Sequence, residues 1–443
     1  MLKNGGRAIG ARVGKLNIFQ RTMLQWNDTL AYNAVHVVRV PAPFDLERLR
    51  MVINRTLENR GLNDLTVDRA KGTYQYHGGP SRCDFQVISG DSGGGPALTV
   101  EIERQLNTAF VPGERFNPFR FFVAPEPGCF SLGLTYFHAV ADAESCVRLM
   151  KEIVEGYREP TRAAHALPTG LYPPRYDNLL RHHPGLLARR LSAIPALVRN
   201  MRMSCRPPYS NGQPTTNGFT CCSLQRQEFR RLSAAAKAWG VTLNDLFLGL
   251  LMKSRGLLAS ERVLAPRRRS ISVGCIVNTR KALGVDSEQM FGLFLGSFIV
   301  THKVPEQITL RELAADLHRQ ISDIKRHKLY VGAPLGMAFA RFMVSLFPPE
   351  RGGKLYHRYY PLWGGITNLN LNLLWEQPQA DRPMDYLRAV SSSPATPLVL
   401  SVTTAGDIMN LGFTYRSTAF QPADIERVKS HFMDEATHVE VGE

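Results

Sequence analysis

Two periods of apolar residues run along the chain and predict a mixture of strands and helices. Asn33 to Val40 is rich in β-branched residues and reads as a strand. Asp45 then caps a helix on which Leu46, Leu49, Ile53 and Leu57 recur at helical spacing. After a glycine-rich loop, Gly90 to Pro96, the stretch Ala97–Glu103 reads as a strand, and a proline-broken segment leads to Phe122. Phe130, Leu132, Leu134 and Tyr136 alternate through Cys129–Phe137, a strand, and a helix follows from about Ala143 to Tyr157 with Val147, Met150, Ile153 and Val154 along one side.

The stretch 158–217 changes character. It is proline-rich, poor in acids and polar towards Tyr209–Asn217, with one basic helix near Leu186–Met203. Beyond it come a strand (Phe219–Leu224), a helix (Gln227–Trp239) stopped by Gly240, and an apolar helix (Leu243–Leu251) capped by Thr242. Strands at Ser270–Val277 and Leu293–Val300, helices around 308–327 and 334–346, strands at Gly365–Leu374, Pro397–Thr404 and Asn410–Tyr415, and a helix after Pro422 complete the pattern. The expectation is an α/β chain with mixed sheets in two halves: an N-terminal lobe at 1–160, a basic crossover at 161–217 and a C-terminal lobe at 218–443. A length of 443 residues fits two or three domains.

Composition narrows the picture. Hydrophobic residues make up 44% and charged residues 21%, close to globular averages, which excludes wholesale disorder. The apolar runs at Leu246–Met252 and Phe291–Val300 fall short of the ~20 residues that span a bilayer. Met1 to Gln20 lacks the continuous apolar region of a secretory signal. The seven cysteines (83, 129, 146, 205, 221, 222 and 275) are odd in number and form no C-x-x-C pair, which points to free thiols in a reducing cytoplasm. Charge is the strongest signal: 54 Lys and Arg against 38 Asp and Glu give +16. Such a surface attracts anions, whether nucleic acid, anionic lipid, coenzyme A phosphates or an acidic carrier protein. From Asn178 to Gln227 there is no acid, while seven arginines, from Arg181 to Arg226, fall inside, and Arg267–Arg268–Arg269 form a second basic knot.

Candidate chemistry centres on Tyr136-Phe-His-Ala-Val-Ala-Asp-Ala-Glu-Ser145. His138 falls where a strand ends and a turn leads into a helix, a position that opens towards clefts in α/β folds. Neutral imidazole is the side chain best suited to taking a proton near pH 7. Asp142, at the helix start, can cap the helix and hold the turn. By spacing alone the pair is also compatible with a strand-ending histidine and an ordinary N-cap.

Further segments give this motif a context. The chain resembles the condensation-domain and coenzyme-A-dependent acyltransferase superfamily, which includes chloramphenicol acetyltransferase, peptide-synthetase condensation domains, plant BAHD acyltransferases and bacterial wax ester synthases. The family's H-x-x-x-D(G) reads here His138-Ala-Val-Ala-Asp142. Val241-Thr-Leu-Asn-Asp-Leu-Phe-Leu is similar to the helix opening after the linker, Val277-Asn-Thr-Arg280 to the strand end that supplies an arginine, and Gly365-Ile-Thr-Asn-Leu to the second-half S-N-L-G strand. Phe137 replaces the first histidine of the H-H version, Ala143 stands where glycine is usual, and the plant D-F-G-W-G is absent.

The resemblance implies two chloramphenicol-acetyltransferase-like lobes enclosing a tunnel, with His138 as general base for acyl transfer from a thioester to a hydroxyl or amine. It implies Asp142 as a structural residue paired with Arg280, and Asn368 or Thr367 as oxyanion donors. No cofactor is bound and no metal is expected; acyl-coenzyme A or an acyl-phosphopantetheine on an acidic acyl carrier protein is the co-substrate. The acceptor is a small-molecule or lipid alcohol or amine, and a monomer suffices. The alternative is a catalytically inactive condensation-like docking module for carrier or synthase proteins.

Other signals weigh less. Gly90-Asp-Ser-Gly-Gly-Gly-Pro96 nearly spells a serine-protease nucleophile loop and echoes a phosphopantetheine attachment site, but a flexible loop explains it better. His182-His183 has no carboxylate or cysteine beside it and reads as a solvated pair rather than a metal site. The basic helix interleaves Leu186, Leu187, Leu191, Ile194, Leu197, Val198 and Met201 with Arg189, Arg190 and Arg199. Such a helix can lie on anionic lipid, giving a membrane-peripheral location, or face an acidic partner. Without interleaved aromatic residues it is not a specific nucleic-acid groove.

Overall fold

A computed structural model of the chain describes residues 11–80, 83–88, 95–112, 114–159, 170–171, 184–210, 214–286, 288–346, 356–375 and 385–439. The Gly90–Gly94 part of the loop and His182-His183 lie outside the described residues. In chain order the first strands are β1 (Arg12–Lys15), β2 (Asn33–Val40), β3 (Leu65–Asp68), β4 (Thr73–Tyr76), β5 (Asp84–Val87), β6 (Phe119–Glu126), β7 (Cys129–Phe137) and β8 (Gly170–Leu171). They are followed by β9 (Asn217–Leu224), β10 (Ile271–Asn278), β11 (Met290–Phe291), β12 (Leu295–His302), β13 (Leu362–Asn370), β14 (Asp385–Val390), β15 (Leu398–Ala405) and β16 (Ile408–Arg416). The helices used below are α1 (Ile18–Asn27), α2 (Leu46–Arg60), α3 (Gly95–Asn107), α4 (Ala143–Arg158) and α5 (Pro184–Met203).

The chain divides into two units, neither of them a single run of sequence. The first comprises Met1–Tyr176, Arg280–Phe294 and Leu371–Tyr386; the second comprises Asp177–Thr279, Leu295–Asn370 and Leu387–Glu443. Both are built on mixed sheets with helices packed on them, so the α/β class expected from the sequence is the class observed.

In the first unit, β2, β7, β6 and β5 lie side by side in that order. The β2–β7 and β7–β6 pairs are antiparallel and β6–β5 is parallel. Every residue of β7 is buried, so this strand is covered on both faces and its polar positions, Ser131 and Thr135, are as enclosed as its apolar ones. Gly133 sits directly opposite Phe122. The ring of Phe122 lies over it, and a Cβ there would meet the ring at 2.1 Å. On α2, Leu49, Val52, Ile53, Thr56 and Leu57 are buried, and the Asp45 carboxylate accepts from the Arg48 amide as its N-cap. Ala97–Glu103, expected as a strand, is instead part of α3. Ile102 and Leu106 are buried four residues apart, as on a helix face, while Val100, which strand alternation would have placed with Ile102, is 70% exposed. An i,i+3 ion pair between Glu101 and Arg104 supports the helix.

The second unit holds the six-stranded sheet β12-β10-β13-β15-β16-β9. The central pairs β10–β13 and β13–β15 are parallel and the outer ones antiparallel. Leu246 to Met252 is buried without interruption on the helix Leu243–Gly256, whose cap Thr242 forms a reciprocal capping box with Asp245. At the end of the preceding helix Gly240 takes φ +66, the left-handed conformation that closes a helix. Among the described residues no helix is long and apolar enough to cross a membrane.

Candidate active site

His138 directly follows β7. Its amide donates to the Tyr32 carbonyl at 3.3 Å, and the tight turn after it closes through the Val140 amide to the Phe137 carbonyl at 3.0 Å. The turn is braced from α1, where buried Gln20 donates to the Ala139 carbonyl at 2.9 Å. Nδ1 of the imidazole lies 3.0 Å from the Ala141 carbonyl. A carbonyl can only accept, so Nδ1 carries the hydrogen, and in the neutral ring the lone pair is on Nε2. Tyr32 stacks on the ring (centroids 5.6 Å apart, planes within 10°) and Tyr136 meets it edge-on at 5.7 Å. The imidazole thus has a fixed tautomer and a fixed plane, and His138 is buried, with 7% of its surface exposed.

Asp142 faces another way. It is the N-cap of α4, with its Oδ1 accepting from the Ser145 amide at 3.0 Å. Arg280 grips the same carboxylate with two nitrogens, Nη1 to Oδ2 at 2.7 Å and Nη2 to Oδ1 at 3.0 Å. The Phe294 amide donates to Oδ2 at 2.8 Å. Ser145 completes the knot: its hydroxyl lies 2.7 Å from Arg280 Nη2 and 3.0 Å from the Gly292 carbonyl. The Asp142 amide reaches that same carbonyl at 3.0 Å. Arg280 also stacks over the Phe294 ring at 4.3 Å. This knot ties the stretch Arg280–Phe294 to the first unit, although it enters the chain some 120 residues after α4 ends.

Cys146, four residues after Asp142 on α4, is wholly buried. Burial, reinforced by the negative charge of Asp142, pushes its titration well above the ordinary thiol range. It therefore stays protonated, which makes it a poor nucleophile. Behind Tyr136 lies a buried polar chain: the Tyr136 hydroxyl is 3.4 Å from His36 Nε2, and His36 Nδ1 is 2.8 Å from the Tyr386 hydroxyl.

Thr367 and Asn368 belong to the second unit, near the end of β13, where they pair with Ser401 and Val402 of β15. Asn368 is exposed and Thr367 half-buried, and the Thr367 carbonyl accepts from Arg388 at 3.2 Å. His138, Asp142 and Arg280 are brought together within the first unit, and these two residues are in the other. Sequence reasoning missed Gln20, Tyr32, Gly292 and Phe294. Three of them act through backbone atoms or a ring face, which leave no residue-type signature, and Gln20 gave only a capping pattern with Asn17.

Comparison with models of protein families and with curated protein sequences gives no match. Solved structures do match. The first condensation domain of the calcium-dependent antibiotic synthetase, solved with a substrate analogue, aligns with a TM-score of 0.66 at 15% identity, over 97% of this chain and 97% of that one. Polyketide synthase associated protein 5 from Mycobacterium tuberculosis aligns with a TM-score of 0.64 at 14% identity, over 96% of this chain and 98% of its own. Against the nonribosomal peptide synthetase FmoA3 the TM-score is 0.64 at 18% identity, and 98% of this chain spans only 45% of that one. At these identities the likeness establishes the fold. The chain has the condensation-domain fold, of the two-lobed chloramphenicol-acetyltransferase-like class.

Proposed function

We propose that the chain is an acyltransferase that moves an acyl group from a thioester, on coenzyme A or on the phosphopantetheine of a carrier protein, to a hydroxyl or amine acceptor. The observation that carries this reading is the division of labour between His138 and Asp142. Nδ1 of the imidazole is tied to a main-chain carbonyl, while the carboxylate four residues on is consumed by Arg280 and backbone amides. An imidazole held in this way presents Nε2 as the basic nitrogen.

In the reaction, Nε2 of His138 takes the proton of the acceptor as its oxygen or nitrogen attacks the thioester carbonyl. The tetrahedral species collapses with cleavage of the carbon–sulfur bond, and the imidazolium returns the proton to the departing thiolate. Thioester and alcohol become ester and free thiol, or with an amine an amide and free thiol, with no acyl-enzyme. The protonated state of Cys146 supports a route without a cysteine nucleophile. Asn368 or Thr367 is the proposed donor to the oxyanion. The net charge of +16 supports a donor bearing phosphates or an acidic carrier. The test is to incubate the full chain with acyl-coenzyme A or an acylated carrier protein and panels of alcohols and amines, measuring free thiol and the matching ester or amide. Acceptor-dependent thiol release is expected. No release with any pair, with carrier protein still retained in a pull-down by His138→Ala, would replace the enzyme with a docking module.

A further inference from the structure

The two basic segments that are separate in sequence meet in the second unit. The Ser270 amide donates to the Met203 carbonyl at 3.0 Å, the Cys205 amide to Ser270 at 2.8 Å, and Arg268 Nη1 to the Ser204 carbonyl at 2.9 Å. These bonds lay residues 267–270 along the C-terminal end of α5. Between them is an open cleft of about 640 Å³ lined by Pro195, Val198, Arg199, Arg202 and Met203 of α5 and by Arg267.

The helix α5 carries two apolar rows. One turns inward through half-buried Leu197 and buried Met201, and with it Arg190, whose aliphatic stem lies against Gly332. The other faces solvent: Leu191 is 54% exposed, Ile194 43% and Val198 42%, at positions i, i+3 and i+7. A helix that only covered a core would show polar side chains there. Arg199, Arg202 and Arg267 line the cleft together with Val198 of this row, and Arg206 and Arg269, close to them in sequence, are exposed as well. Among the described residues none of these arginines is paired with a carboxylate. The polar partners of Arg206, Arg268 and Arg269 are main-chain carbonyls of Arg358, Ser204 and Ala265. Burial, and after it the neighbouring charge of Arg206, lowers the affinity of Arg268 for its proton.

We infer that this face of the second unit docks on an anionic phospholipid bilayer, with α5 lying along the surface. Leu191, Ile194 and Val198 enter the boundary between headgroups and acyl chains, and the arginines take the phosphates. A nucleic acid has no use for the exposed aliphatic row. An acidic protein would satisfy the charges and leave that row without an assigned groove. The inference is independent of acyl transfer, and either can fail alone.

Flotation of the full chain with phosphatidylcholine vesicles, with and without phosphatidylglycerol, tests it. Binding is expected only with phosphatidylglycerol and is expected to weaken as salt is raised. The triple variant Arg199→Gln/Arg202→Gln/Arg267→Gln should lower the partition coefficient roughly 100-fold, and Leu191→Ser/Val198→Ser about tenfold or more. Arg199→Lys/Arg202→Lys should retain binding, since bilayer attraction needs charge rather than a planar fork. Unchanged melting temperatures show that the variants are folded. No binding to anionic vesicles at low salt overturns the inference. So does binding that Leu191→Ser/Val198→Ser leaves intact, which would mark the arginines as a contact for an acidic protein.

Discussion

The side chains of Asp142 and Arg280 are each only 3% exposed, and they satisfy one another through two hydrogen bonds. With the Ser145 and Phe294 amides added, the carboxylate accepts four hydrogen bonds, close to its full capacity. Removing one partner of such a pair leaves a buried charge alone, at a cost of about 3–5 kcal/mol. Arg280→Ala should therefore lower the unfolding free energy by that amount and abolish acyl transfer, while Arg280→Lys recovers only part of either, because an ammonium cannot reproduce the fork. Normal melting of Arg280→Ala would contradict the locking role. A second titratable residue carries a pH signature. His357 stacks on Tyr209 with ring centroids 3.4 Å apart. Burial, helped by the positive charge of Arg416, lowers its pKa to about 4 from 6.5. The unfolded chain thus takes up this proton first as the pH falls, so the contribution is complete above the unfolded value of 6.5 and is lost on the way down to about 4. His357→Phe, which keeps the stack without titrating, should lose about 1 kcal/mol less stability than wild type between pH 7.5 and pH 5, for a half-buried ring. Equal losses in urea titrations at the two pH values would show that His357 is not the group responsible.

The strand that delivers His138 depends on a missing side chain five residues before it. Gly133 leaves room for the Phe122 ring, which is itself fully buried and has nowhere to swing. Gly133→Ala should cost about 1–3 kcal/mol by overpacking, and Phe122→Leu in the same chain should restore part of it. A denaturation midpoint unchanged by Gly133→Ala would mean that β7 and β6 can separate without penalty. Elements of this kind were legible in the sequence to different degrees. The alternation in β7 and the 3.6 period of α2 and α4 fixed their identity and nearly their ends. Ala97–Glu103 misled because Leu98, Val100 and Ile102 alternate as in a strand, while the helix is decided by Ile102 and Leu106 and by the Glu101–Arg104 pair. The short strands β3, β4 and β5 went unseen because four residues carry too little periodicity to register.

For the whole molecule, the sequence indicated two halves with mixed sheets, but not that the first unit recovers Arg280–Phe294 and Leu371–Tyr386 from the second half of the chain. Nothing local records such a return, since it is carried by a long-range ion pair and by backbone amides such as that of Phe294. The Asp142–Arg280 pairing was accessible only through the family resemblance. The orientation of the imidazole was not accessible at all, because it rests on the carbonyl of Ala141. The convergence of Arg267–Arg269 with α5 was equally invisible in one dimension. All of the proposed chemistry comes back to Nε2 of His138, and the most direct measurement is the steady-state rate of acceptor-dependent thiol release by wild type and by His138→Ala, both confirmed folded by their melting. A loss of about 10²–10⁴-fold with melting unchanged is the predicted result; a variant that turns over within about threefold of wild type would contradict a general base at this position.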